Sequence, residues 1–158
     1  SNARMLRSTL LQADEPGSAA CFHPVPTVEL PSPEASADAF AQLIAQRCSG
    51  EPPIFDMMVL GLGDDGHTAS LFPGTEAPEI RDRWTTIGRG KGLERITLTA
   101  PVLSAARTVL FLVSGAKKRE ALGRLLDPAE SSQRTPAKLV QPEAEIIVLT
   151  DDAASEGL

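Results

Sequence analysis

Short, densely apolar runs alternate along this chain with stretches whose apolar residues recur at helical spacing. Ile54-Phe55-Asp56-Met57-Met58-Val59-Leu60 and Thr108-Val109-Leu110-Phe111-Leu112-Val113 are almost continuously apolar. That pattern predicts strands buried on both faces of a parallel sheet. Glu145 to Leu149 predicts a further strand, and Trp84 to Ile87 a short one. From Arg95 to Ala100, Ile96, Leu98 and Ala100 alternate with Thr97 and Thr99, the period of a half-buried strand. Met5, Leu6, Leu10 and Leu11 space a short amphipathic helix over Arg4 to Gln12. A second helix starts at Ser32-Pro33, with Ser as cap and Pro in the first turn. It runs to about Cys48 with Phe40, Leu43 and Ile44 inward, and Ser49-Gly50 and Pro52-Pro53 stop it. Pro101 to Ser104 predicts a helical turn. Ala116 to Leu126 predicts a helix with Ala121, Leu122, Leu125 and Leu126 inward, and Asp151 caps a last one through Ser155.

Between these elements, residues 13–32 are rich in Pro and Gly and read as loop, as do residues 76–82. Gly88-Arg89-Gly90-Lys91-Gly92 reads as a flexible basic turn. Strands alternating with helices imply an α/β fold with a mostly parallel sheet flanked by helices. The 158 residues suffice for one domain with a core, and no internal repeat divides them.

Composition narrows the function classes. No stretch approaches the ~20 apolar residues of a bilayer span, so no membrane partner is expected. A net charge of −6 argues against nucleic acid, whose phosphates need a basic face. The lack of tyrosine argues against a base-stacking platform. A small anionic ligand stays compatible, because a local cluster of cations can hold it. Cys21 and Cys48 have no CxxC spacing and read as reduced thiols of a cytoplasmic protein.

The chemistry concentrates after the first long apolar run, in Gly61-Leu62-Gly63-Asp64-Asp65-Gly66-His67-Thr68-Ala69-Ser70-Leu71-Phe72-Pro73-Gly74. A strand ending in a glycine-rich turn that leads into a short helix is where α/β proteins place their sites. Glycines let backbone approach a ligand, and N–H groups at a helix start receive negative charge. His67, one of only two histidines, is the first candidate for catalysis. Asp64 reads as a favourable charge ahead of a helix. Asp65 reads equally as that or as an orienting partner of His67. The further spaced carboxylates of a calcium loop are missing, so neither a metal nor another cofactor is expected. His23, among loop prolines, reads as surface.

This run resembles the signature of 6-phosphogluconolactonases, within a wider family that includes glucosamine-6-phosphate deaminase. Three other segments resemble family motifs in the same order. They are Arg95 to Leu103, Val109 to Lys118 and Asp151-Asp152-Ala153-Ala154. The resemblance implies a Rossmann-like single domain. It also implies an N-terminal strand, a phosphate loop and an Asp-Glu-Arg segment that these residues do not contain. Residues 1–158 are thus expected to be the C-terminal two thirds of such a domain. Ser1-Asn2-Ala3 fits the family, which carries Ser-Asn here. The same tripeptide is a common remnant of tag removal, but Arg4 rather than Met after it favours the native reading.

The activity implied is hydrolysis of 6-phospho-D-glucono-1,5-lactone to 6-phosphogluconate, in the oxidative pentose phosphate pathway. Water must attack the ring carbonyl, which calls for a base, donors to the oxyanion and cations for the phosphate. His67 is expected as the base, with Asp65 holding its tautomer and the N–H groups after Gly66 as oxyanion donors. Gly63 and Gly66 are expected beside the substrate. A family lysine faces the anionic end of the substrate near Lys91, with Arg89 as fallback. Lys118 reads equally as a substrate cation or a solvated side chain, and Arg95 as structural. The deaminase branch has Asn-Glu-Pro-Gly where this chain has Leu71-Phe72-Pro73-Gly74; Phe72 cannot transfer a proton, which favours the lactonase. A non-catalytic sugar-phosphate binder is the other alternative.

Overall fold

The computed structural model describes residues 2–27 and 30–158. Ser1, and Val28 and Glu29 of the expected loop, lie outside the described residues. Helix α1 (Asn2–Ser8) ends before the expected stop at Gln12. There the Ser8 and Thr9 hydroxyls both donate to the Met5 carbonyl, at 3.0 and 2.8 Å. Side-chain hydroxyls compete for backbone acceptors in this way at helix ends. Helix α2 (Pro33–Arg47) starts as expected, the Ser32 hydroxyl accepting from the Ala35 N–H at 3.1 Å. Ile44 is buried, whereas Phe40 and Leu43 are half-buried.

Strands β1 (Met57–Gly61), β4 (Thr108–Val113) and β5 (Glu145–Thr150) form a parallel sheet in the order β1-β4-β5. Val59 pairs with Leu110 and Leu110 with Ile147. Strands β2 (Thr85–Gly90) and β3 (Leu93–Leu98) form a separate antiparallel ribbon, against which α2 packs. The expected flexible turn at 88–92 is therefore mostly strand. Only Lys91 and Gly92 turn, with φ of 53° and 74°. Two successive left-handed residues match the twist of a tight hairpin.

Helix α3 (Ala100–Ser104) follows the ribbon. Helix α4 (Arg119–Leu126) follows β4 after a 3-10 turn at Ala116–Lys118, and α5 (Asp152–Ser155) follows β5. Leu103, Leu122 and Ala154 from these helices join Leu60, Val109, Phe111 and Val113 in one core. Leu126 departs from expectation: it is exposed at the end of α4.

The strands are buried on one face, not two. Met57, Val59, Leu112 and Leu149 point the other way and are between 49% and 55% exposed. All the described helices that join the core lie on the opposite side, so the apolar character of β1 and β4 exceeds what the described residues cover. The C-terminal ends of the parallel strands converge. Both Asp151 carboxylate oxygens accept from the Gly115 N–H at 3.0 Å, tying the loop after β5 to the loop after β4. The Asp151 carboxylate also caps α5 through the Ala154 N–H.

Candidate active site

Beyond Gly61 the chain turns instead of entering a helix. The Leu71 N–H closes onto the Thr68 carbonyl at 2.9 Å, and Ala69 takes a φ of 49°. The Ser70 N–H, which a helix would use, donates instead to the Thr97 hydroxyl of β3 at 3.1 Å. Competition from the ribbon thus overrides the expected helix start. Asp64 is consequently not a charge ahead of a helix.

The turn that carries His67 is closed by its own backbone. Gly63 N–H donates to the His67 carbonyl at 2.8 Å, and Gly66 N–H to the Gly63 carbonyl at 3.0 Å. Gly66 has a φ of 89°, which only glycine adopts without strain. Its carbonyl accepts from the Ala137 N–H at 3.0 Å. Gly63 is buried, and a Cβ there would fall 2.5 Å from Asp65 Oδ1 and closer still to the imidazole. These two glycines thus shape the turn that holds His67 and Asp65.

Within it, His67 Nδ1 lies 2.5 Å from Asp65 Oδ1, and the same oxygen accepts from the His67 backbone N–H at 3.1 Å. Partial burial pushes the Asp65 carboxyl up. The two His67 hydrogen bonds, with the charges of His67 and Lys91, outweigh it and leave Asp65 below the ordinary carboxylate range. An ionised carboxylate only accepts, so Nδ1 carries a proton, and in the neutral imidazole Nε2 holds the lone pair. Among the described residues, Nε2 has no hydrogen-bond partner. The His67 side chain is 20% exposed, open enough for a small reactant. The His67 N–H, the first donor after Gly66, is committed to Asp65 and so is not an oxyanion donor.

Cations gather on the Asp64 side of the turn. Lys91 Nζ donates to Asp64 Oδ1 at 3.2 Å. That contact, with a smaller push from Lys118, holds the Asp64 carboxyl below the ordinary range. The ribbon therefore carries Lys91 onto Asp64, and the turn after β4 brings Lys118 within electrostatic reach of the same carboxylate. Arg124, which no sequence motif singles out, also reaches Asp64: its Nη2 donates to the Asp64 carbonyl at 3.1 Å, and its Nη1 to Glu120 at 2.6 Å. Only the Glu120/Arg124 spacing was visible in advance, and it indicates a helix pair rather than a site. Arg89 is engaged by Glu94 at 2.9 Å across the ribbon. Arg95 lies over the Phe72 ring, and His23 is exposed in its loop. Among the described residues no group of three His, Cys, Asp or Glu side chains is placed to hold a metal ion. No described helix is long and apolar enough to cross a membrane.

A 6-phosphogluconolactonase of Synechocystis is 45% identical, over all of this chain and 66% of its own length. The human 6-phosphogluconolactonase is 40% identical, over 80% of this chain and 50% of its own length. The crystal structure of a 6-phosphogluconolactonase from Shewanella baltica superposes with a TM-score of 0.79 at 28% identity, covering 95% of this chain and 64% of that one. The chain thus spans between half and two thirds of the length of these relatives. The model of the family of glucosamine-6-phosphate isomerases and 6-phosphogluconolactonases matches residues 1–149, and the chain belongs to that family.

Proposed function

We propose that the protein hydrolyses 6-phospho-D-glucono-1,5-lactone to 6-phosphogluconate, with His67 as general base. The observation that carries this reading is the short Nδ1 contact to Asp65, which leaves Nε2 as a free acceptor. Nε2 takes a proton from water as the water oxygen attacks the lactone carbonyl. The resulting tetrahedral oxyanion collapses, the bond to the ring oxygen breaks, and the imidazolium returns the proton to that oxygen. Asp65 stabilises the imidazolium in between and keeps the ring in one tautomer.

Lys91, Lys118 and Arg124 supply positive charge for the phosphate end. Lys91 is an exposed side chain on an exposed carboxylate, so it exchanges Asp64 for a substrate anion at little cost. Gly63 and Gly66 act by shaping the turn. Phe72 stands where the deaminase branch has a glutamate, and its ring faces His67 at 4.4 Å. An apolar ring there suits hydrolysis, which needs no second base for carbon deprotonation. Two unpaired cysteines are compatible with a cytoplasmic setting.

Replacing His67 with alanine tests the reading. A positioned base contributes ~10²–10⁴ in rate, so kcat should fall by that order with a smaller change in KM. Undiminished lactone turnover by His67→Ala would remove His67 from the mechanism. Release of ammonia from glucosamine 6-phosphate at enzymatic rates would move the protein to the deaminase branch.

A further inference from the structure

We propose that Gly90, in the β2–β3 ribbon, is a positioning residue for His67 and acts through the ring of Phe72; the proposal rests on His67 being the base. Asp65 fixes one atom of the imidazole, Nδ1. One hydrogen bond still leaves the ring plane free to swing about that contact. Phe72 removes this freedom: its ring centroid lies 4.4 Å from that of His67, with the planes tilted by 35°. Two constraints from different directions therefore aim Nε2.

Phe72 is itself only 4% exposed, and the ribbon determines where it sits. A Cβ on Gly90 would stand 2.5 Å from Phe72 Cγ and 2.7 Å from Cδ1, so the ring occupies the place of a side chain. Arg95 completes the seat, its guanidinium 5.4 Å from the ring centroid and its Nη1 donating to the Gly90 carbonyl at 3.4 Å. Gly88, two residues earlier in β2, is bare in the same way against Ser70, whose Cβ would be 2.5 Å from an added carbon. Gly90 is not among the residues with positive φ. Alanine there strains no backbone and tests the steric contact alone. The ribbon, remote in sequence from His67, thus sets the imidazole plane through one aromatic ring.

The test combines proton NMR with lactone kinetics on Gly90→Ala, Phe72→Leu and the double variant. With two histidines in the chain, the Cε1–H signals resolve simply, and exposed His23 serves as reference. Phe72→Leu removes the ring current from the His67 signal and shifts it. Gly90→Ala shifts it too, but adds nothing in the Phe72→Leu background, where no aromatic ring remains to carry the displacement to His67. Each single variant lowers kcat by at least about tenfold with KM within about twofold, as misplacement of a reacting group does. A His67 signal and kcat unchanged in Gly90→Ala overturn the proposal, as does an equal Gly90→Ala shift with and without the ring. Should Gly90→Ala fail to fold, Phe72→Leu decides: an unmoved His67 signal or undiminished kcat refutes the ring's role. If His67→Ala keeps full activity while the NMR coupling stands, the base assignment fails and the positioning contact survives.

Discussion

Gly63→Ala should disable the site without replacing a reactive group. The added methyl carbon would lie 2.5 Å from Asp65 Oδ1 and nearer to the imidazole, whereas ordinary contact begins at 3.4 Å. The carboxylate must therefore retreat by about 0.9 Å and the imidazole by more, both measured against that contact distance. The two groups now meet at 2.5 Å, so a displacement of this size ends their hydrogen bond. The backbone cannot yield easily, because Gly63 N–H is tied to the His67 carbonyl and the Gly63 carbonyl to Gly66. Misplacement by about 1 Å can cost ~10² in rate, and loss of a positioned base ~10²–10⁴. We expect kcat to fall by ~10²–10³ with KM within a few-fold. The assay follows the proton released on lactone opening with an indicator dye, after subtraction of spontaneous hydrolysis. Circular dichroism verifies that the variant is folded. A folded Gly63→Ala protein with kcat within about twofold of wild type would show that the His67–Asp65 contact is not needed, and the orienting role of Asp65 would fall with it.

Two further outcomes follow from the charges. Lys91→Ala should raise KM with little change in kcat, and the effect should shrink as salt rises, because Lys91 is exposed and screened; a KM equal to wild type at low salt would leave the phosphate to other cations. The Asp151 carboxyl is held below the ordinary range first by the Gly115 N–H and next by the Ala154 N–H. A depressed folded value means that the unfolded chain binds the proton more tightly. Its stabilisation is thus present above about pH 4, the ordinary carboxylate value, and lost as pH falls through the lowered one. Urea melts should show Asp151→Asn losing less stability than wild type on acidification below that point, and identical acid profiles would contradict the assignment.

What the sequence disclosed about this fold depended on how local the signal was. The run Thr108 to Val113 became β4 at its expected ends because β-branched and apolar residues there agree with its central place in the sheet. Ser32-Pro33 and Asp151 acted as caps because a cap needs only its next few residues. His67 and Asp65 were legible for the same reason, being close together in one turn. The expected helix after Gly66 failed because Thr97, distant in sequence, captures the Ser70 N–H. Arg124 was invisible because its partner is a backbone carbonyl, which has no residue signature. Continuous hydrophobicity in β1 and β4 records only that both faces are apolar, not what covers each. Glycine spacing at 88–92 suggested flexibility, whereas two of those glycines are bare to admit Ser70 and Phe72.

The His67 turn is gripped by segments far apart along the chain: Gly90 beneath Phe72, Arg124 on the Asp64 carbonyl, and Ala137 on the Gly66 carbonyl. Such contacts close long loops, whose entropy must be met before the contacts stabilise anything. Loop-closure entropy therefore predicts that the turn acquires its working shape late in folding, after the ribbon and α4 have docked. During refolding, secondary structure should return ahead of lactone turnover, and regained turnover would time the arrival of the last of these contacts.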